Sequence, residues 1–214
     1  MSAPLSGRKA QAARNDEVIL AAARAVFMRT PDAPIAAVAQ EAGVGVSALY
    51  RRYSGKEDLL ITLCADGLHR FIAVAERAAQ LPDPWDSFAA FVVGVIEEDT
   101  HSLTVHLAGR FTPTPELGDL SQHASSLGNA IFDRATAAGV LRDDLVREDV
   151  AMIFEQVTAV RVDDPERTRV LRARYLALLL DAVRTDARTG TGGTGSGQGA
   201  GPTGAELGAR WTPR

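Results

Sequence analysis

Residues 38–60 read VAQEAGVGVSALYRRYSGKEDLL, a pattern of short helices joined by a turn centred on glycine. Apolar residues recur at helical spacing after Pro34, a residue suited to the first position of a helix. Gly43 favours the left-handed conformation that closes such a helix and turns the chain. A second short helix with Leu49 on its buried face is predicted next, and a third helix begins at Lys56. The pattern therefore indicates a helix-turn-helix unit.

The second of these helices combines small side chains at its front with basic side chains at its back. Small apolar side chains and a serine suit base edges in the major groove of DNA, whereas arginine and lysine suit phosphate oxygens. The candidate DNA-contacting residues are Val46, Ser47, Ala48, Tyr50, Arg51, Arg52 and Lys56. The alternative is a surface helix pair in an ordinary helical domain, in which the two arginines form only a solvated face.

A further amphipathic helix is predicted over residues 15–28, before this unit. With that helix included, the segments ILAAARAVF (19–27) and LYRRYSGKEDLL (49–60) resemble the DNA-binding domain of the TetR family of transcriptional regulators. The resemblance implies an all-α fold, in which an N-terminal three-helix helix-turn-helix domain joins a larger C-terminal helical bundle for ligand binding and dimerisation. It implies base reading by Val46, Ser47, Ala48 and Arg51, and backbone contacts by Tyr50, Arg52 and Lys56.

Charge is distributed unevenly along the 214 residues. Residues 1–56 carry eight bases and four acids, a balance of +4, while the remainder carries 15 bases and 23 acids, a balance of −8. A basic N-terminal module on an acidic protein fits binding of nucleic acid at one end. Arg8, Lys9 and Arg14 suggest a flexible basic arm over residues 1–14, and the alternative is a terminus that serves only solubility.

The remaining sequence is helical in pattern up to a Gly-rich end. Four regions are predicted: the arm (1–14), the helix-turn-helix domain (15–56), a ligand-binding and dimerisation domain (57–186) and a disordered Gly-rich tail (187–214). Beyond the first three helices, further ones are expected over residues 56–80, 85–100, 103–111, 115–138, 147–161 and 166–186. No apolar run is long enough to span a bilayer and the N-terminus has no signal-peptide pattern, so we expect a cytoplasmic protein without a membrane partner.

The last two predicted helices carry more apolar side chains than one face can bury within a monomer. Two such helices that pair with their copies would form a four-helix dimer interface, and the TetR resemblance implies the same arrangement. The candidate dimer-interface residues are Phe154, Val157, Leu171, Tyr175, Leu178 and Leu179. The sequence therefore predicts a homodimer.

An aromatic and aliphatic stripe runs through the middle helices. Such a stripe is commonly plain core, but the TetR resemblance implies a ligand cavity with apolar walls and a few polar groups. The candidate ligand-binding residues are Phe88, Phe91, Val95, His106, Phe132 and Phe154. His106 is the polar candidate among them, and the alternative is a satisfied core or surface histidine.

Enzymatic chemistry has no support in this sequence. The four histidines show no metal-binding spacing, no phosphate-binding glycine loop follows a strand, and the single cysteine, Cys64, excludes an intrachain disulfide. We therefore predict no catalytic residues, metal or cofactor. The predicted function is a ligand-responsive repressor that binds a palindromic operator in double-stranded DNA as a homodimer and responds to an unknown small-molecule effector. The alternative is a helical dimerisation or interaction module without sequence-specific DNA binding.

Overall fold

The computed structural model describes residues 4–99, 107, 109–185 and 203–205, with side chains from residue 15 onward. Within these residues the secondary structure consists of helices, with a single isolated β-bridge between Leu141 and Arg184. None of the described helices is long and apolar enough to cross a membrane. The helices are α1 (Pro4–Arg29), α2 (Ile35–Glu41), α3 (Val46–Arg52), α4 (Lys56–Ala79), α5 (Pro84–Glu97), α6 (Pro115–Ala137), α7 (Arg147–Ala159) and α8 (Pro165–Val183).

Three helices begin with the same local device, a capping side chain followed by proline. Asp83 accepts a hydrogen bond from the Asp86 amide at 2.8 Å at the start of α5, and Thr114 and Asp164 cap α6 and α8 in the same way. The cap satisfies an amide that has no partner within the helix, and the proline that follows has no amide to satisfy. These short sequence signals set the starts of three helices of the C-terminal half.

The largest differences between predicted and observed helices concern two of them. Helix α1 begins at Pro4, so residues 4–14 of the segment predicted as an arm have helical backbone. The helix predicted over residues 103–111 does not extend through residue 109, because Gly109 has a φ of 73° and turns the chain. Residues 103–106 of that helix, and the predicted tail apart from residues 203–205, lie outside the described residues.

Buried apolar side chains form two separate clusters, which we call the first core and the second core. The first core joins α1, α2, α3 and the first half of α4, and it also contains Leu107, Phe111 and Leu117. The second core joins the second half of α4 to α5, α6, α7 and α8. Helix α4 contributes to both cores, so it links the helix-turn-helix unit to the C-terminal bundle.

Candidate DNA interface and ligand cavity

The turn between α2 and α3 is closed by a pair of backbone hydrogen bonds. Gly43 has a φ of 66°, the left-handed conformation that favours glycine. Its amide donates to the Gln40 carbonyl at 3.2 Å, and the next amide, that of Val44, donates to the Ala39 carbonyl at 2.9 Å. This arrangement satisfies the last carbonyls of α2 and fixes the direction in which α3 starts.

Helix α3 is anchored on one side and open on the other. Leu49 is fully buried in the first core, whereas Tyr50 is 52% exposed. Among the other predicted DNA-contacting residues of α3, Ala48 is half-buried and the rest, Val46, Ser47, Arg51 and Arg52, are exposed. The structure therefore brings these predicted residues together on one accessible helix surface.

Two of the predicted phosphate contacts have partners within the protein. Arg52 forms an ion pair with Asp16 of α1. Lys56 donates from Nζ to the Pro31 carbonyl at 3.2 Å, and its Nζ lies 5.4 Å from the centroid of the Phe27 ring. Phosphate binding by Arg52 or Lys56 would compete with these contacts, which help to hold the helix-turn-helix unit together.

Arg51 differs from both of these cations. It lies exposed in the last turn of α3 and, within the described part of the chain, makes no ion pair. A guanidinium that forms no ion pair with the described side chains keeps its five N–H donors for DNA. Arg51 is therefore the strongest candidate of the predicted set for a direct contact.

A cavity of about 330 Å³ lies between α4, α5, α6 and α7. Four of the predicted ligand-binding residues line it, namely Phe88, Phe91, Phe132 and Phe154. Val95, also predicted, is fully buried in the second core and is not among the residues that line this cavity. His106 lies outside the described residues.

The wall of the cavity is aromatic and its shape depends on one glycine. The Phe91 ring packs edge-on against Phe71, with centroids 5.3 Å apart, and against Phe154, with centroids 6.1 Å apart. A Cβ placed on Gly128 of α6 would lie 3.2 Å from the Phe91 Cζ. A larger residue at position 128 would therefore enter the space in front of the aromatic wall.

Sequence reasoning missed the polar residues of the cavity. Ser121, Ser125 and Asn129 follow one another along α6 and lie at its rim, and Arg147 of α7 lies beside them. The spacing of four residues in this polar row was the available signal, since such residues share one face of a helix. The sequence analysis instead predicted His106 as the polar group, because it lies within an apolar stripe.

The predicted dimer-interface residues lie in two different environments. Phe154 and Val157 of α7 are only 4% and 1% exposed, because they pack in the second core of their own subunit. These two side chains therefore lie in the interior of their own subunit. On α8, Tyr175 and Leu178 are 46% and 54% exposed. Leu171 and Leu179 are half-buried.

Charged side chains connect α1 to the C-terminal bundle. Arg24 of α1 donates to Asp66 of α4 at 2.9 Å, and Arg70 lies 3.2 Å from the same carboxylate. Burial lowers the pKa of the Arg24 guanidinium, and the nearby Arg70 lowers it further. Arg70 also donates to the Glu98 carbonyl at 3.2 Å. This charged seam crosses the boundary between the two cores.

Cys64 lies in the first core, and its burial raises the pKa of the thiol to about 12. We expect no alkylation of the folded protein by iodoacetamide at pH 8, because the thiolate is the reactive form and is essentially unpopulated. Full labelling is expected in denaturant. Mass spectrometry reports on this residue alone, since the chain has one cysteine. Rapid labelling of the native protein would contradict the buried position.

No metal-binding group of three or more His, Cys, Asp or Glu side chains occurs in the part of the chain that the structure describes.

Comparison with known proteins identifies the family. Residues 19–63 match the family model of bacterial regulatory proteins of the tetR family. The fold resembles a TetR transcriptional regulator from Streptomyces coelicolor, with a TM-score of 0.55, 30% sequence identity, and coverage of 80% of this chain and 99% of that chain. No curated protein matches the chain in sequence.

Two mycobacterial regulators share the fold at lower identity. The regulator LfrR of Mycobacterium smegmatis, solved in complex with proflavine, has a TM-score of 0.56 at 20% identity, with coverage of 82% of this chain and 99% of its own. The ketosteroid regulator of Mycobacterium tuberculosis has a TM-score of 0.58 at 18% identity, with coverage of 81% and 96%. Because the S. coelicolor relative reaches 30% identity over almost its whole length, the chain belongs to the TetR family of non-enzymatic, DNA-binding transcriptional regulators.

Proposed function

We propose that this regulator is a repressor that binds a palindromic operator as a homodimer and is released when a small molecule enters the cavity between α4 and α7. The observation that carries the proposal is the position of α4. Its residues Gly67, Leu68 and Phe71 line the cavity, and its first turn follows directly after the recognition helix α3. A ligand that moves α4 therefore moves the DNA-reading surface.

The exposed side of α3 supports binding in the major groove. Val46 and Ala48 suit contact with a thymine methyl group, and Ser47 suits a hydrogen bond to a base edge. Arg51 suits the two acceptors of a guanine. In a two-fold dimer the two copies of α3 would read half-sites separated by about one helical turn of DNA, which predicts a palindromic operator.

The exposed face of α8 supports dimerisation through this helix. Leu171, Tyr175 and Leu178 recur at intervals of four and three residues, so they form one stripe along the helix. Two large side chains of this stripe are about half exposed. A second copy of α8 would cover the stripe and complete the helical interface expected of a two-fold dimer.

Contacts of the segment just before α6 support a second connection between the cavity and the DNA-binding unit. Arg110 forms an ion pair with Asp32, in the loop before α2. The Thr112 amide donates to the Glu57 carboxylate of α4 at 3.0 Å. Because α6 lines the cavity, a ligand that binds more tightly to one position of α6 would shift the population of DNA-binding states.

A ligand complex of a protein with the same fold is consistent with this proposal. The M. smegmatis regulator was solved in complex with proflavine. We propose that the present chain also binds a small molecule, and that the residues lining its own cavity determine which one.

Fluorescence anisotropy with DNA from the region upstream of the gene tests the DNA-binding part of the proposal. We expect tight, saturable binding to one palindromic segment and weaker binding to a shuffled duplex of the same composition, with both affinities falling as salt is raised from about 50 to 200 mM. Equal affinity for the two duplexes would contradict a sequence-specific operator.

Filling the cavity at Gly128 tests the ligand-responsive part. We expect Gly128→Leu to weaken effector-driven release of DNA by about tenfold or more, because the new side chain occupies space in front of Phe91. Operator affinity without effector is expected to stay within about threefold, since the cavity and α3 are separate sites. Release is measured by titrating a bound operator with any compound that displaces the wild-type protein.

The matched control for this variant is Gly118→Leu. Gly118 lies on the same helix, and a side chain there meets no atom within 4 Å. This variant is expected to respond as the wild type does. A Gly128→Leu protein that keeps its melting temperature and its full response would show that the effector binds elsewhere.

A further inference from the structure

The cavity extends along two helices. On α6 its lining runs from Ser121 to Phe132, eleven residues, which corresponds to about 16 Å at the helical rise. On α7 the lining runs from Arg147 to Phe154, seven residues or about 10 Å. A ligand that fills the cavity along these helices would be elongated.

The two long sides of the cavity differ in polarity. Ser121, Ser125 and Asn129 form an exposed polar row along the rim of α6. Phe71, Phe91 and Phe154 form the opposite wall. An apolar body would pack against this wall, and the polar row would leave a few hydrogen-bonding groups along one edge.

Charge is confined to one end of the cavity. Arg147 is the only ionisable residue among the described residues that line it, and its guanidinium carbon lies 5.9 Å from the centroid of the Phe132 ring. A cationic ligand would meet the Arg147 guanidinium there, and the described lining residues include no carboxylate to receive it. An anionic group would find a cation next to the aromatic wall.

Asp133 holds the Arg147 side chain in this position. Arg147 donates from Nε at 3.1 Å and from Nη2 at 2.5 Å to one oxygen of the Asp133 carboxylate. These two bonds use two of the five N–H donors of the guanidinium, so three remain. Asp133 therefore orients Arg147 at the end of the cavity but also offsets part of its charge.

We propose that the cavity binds an elongated apolar molecule with a single carboxylate head, with the carboxylate at Arg147 and the body along α6. This assignment rests on the proposed function, since it names the ligand class of the same cavity. Arginine binds carboxylates through parallel N–H···O bonds, which are stronger than neutral hydrogen bonds. The body is either an acyl chain or a short row of aromatic rings, since both can lie along α6 against the aromatic wall.

A matched series of probes tests the charge of the head. We use calorimetry on the full-length protein with para-biphenylcarboxylate, biphenylmethanol and biphenylmethylamine, which share one body and carry an anionic, a neutral and a cationic group. The carboxylate is expected to bind about tenfold more tightly than the other two, as charge-assisted hydrogen bonds to arginine predict. Decanoate, compared with para-biphenylcarboxylate, identifies which body the cavity prefers.

Two variants, which are expected to change the carboxylate affinity in opposite directions, test the role of Arg147. Arg147→Gln is expected to lower the affinity for the carboxylate about tenfold and to leave the alcohol unchanged. Asp133→Asn is expected to raise the affinity for the carboxylate, because it removes the competing anion. Arg77→Gln, a change of an exposed arginine away from the cavity, is the control and is expected to bind all probes as the wild type does.

Three results would overturn the assignment. These are equal or tighter binding of the amine, an unchanged carboxylate affinity in Arg147→Gln, and no binding of any probe to protein that binds its operator. Each of them would contradict the proposed ligand class without contradicting the proposed function, which the operator and Gly128→Leu experiments test separately. An unaltered response of Gly128→Leu to effectors would instead remove the cavity as the sensor.

Discussion

Leu178→Glu is expected to convert the protein to monomers and to lower operator affinity by at least about 1000-fold. A dimer places this substitution at the interface twice, so two carboxylates would be buried without partners. The loss of operator affinity follows because a monomer reaches only one half-site and loses the gain from simultaneous binding. Light scattering after size-exclusion chromatography measures the mass, and anisotropy with the operator measures the affinity.

The control for this variant is Val170→Glu on the same helix. Val170 is an exposed apolar residue at 41%, but it lies about 80° around the helix from Leu178, away from the stripe. We expect it to remain dimeric. Because Leu176, Leu180 and Val183 keep α8 attached to the second core, the Leu178→Glu monomer is expected to retain its helical circular dichroism. A Leu178→Glu dimer with normal operator affinity would show that the interface lies on another surface.

Arg51→Ala is expected to lower operator affinity about 100-fold. Each subunit would lose one base contact, at about 1–3 kcal/mol, and the two-fold dimer loses two. The affinity for a shuffled duplex is expected to fall much less, because a base contact carries sequence information and a phosphate contact does not. Anisotropy on both duplexes at fixed salt measures the difference.

Arg77→Ala serves as the control for charge alone, since Arg77 is exposed at the C-terminal end of α4. It removes the same charge without touching α3, and its operator affinity is expected to stay within about threefold. An equal loss on the operator and the shuffled duplex in Arg51→Ala would assign Arg51 to the phosphate backbone.

Local signals in the sequence were sufficient to predict the helix-turn-helix unit. Gly43 marks the end of α2, and in the structure it has the left-handed backbone conformation that glycine adopts readily. Leu49 was predicted as the buried residue of α3 and is fully buried. These features depend on neighbours within a few residues, so that periodicity and turn chemistry reveal them.

Features that depend on distant residues were not predictable in the same way. The partner of Arg52 is Asp16, on a different helix. Phe154 and Val157 have the apolar spacing of an interface, but periodicity cannot distinguish a face that packs in its own core from a face that meets a partner. The position of Arg147 at one end of the cavity was also not predictable, because the sequence does not show that α6 and α7 line the same cavity.

Three side chains from beyond α5 complete the first core, namely Leu107, Phe111 and Leu117. The DNA-reading half of the molecule is therefore not a detachable module. A fragment that ends with α5 would expose the apolar surface that these residues cover. Each Å² of this surface would lower the stability of the fragment by about 25 cal/mol. An exchange of DNA-binding halves between relatives, whether by recombination or by protein engineering, would therefore need to carry residues 107–117 together with α1–α4.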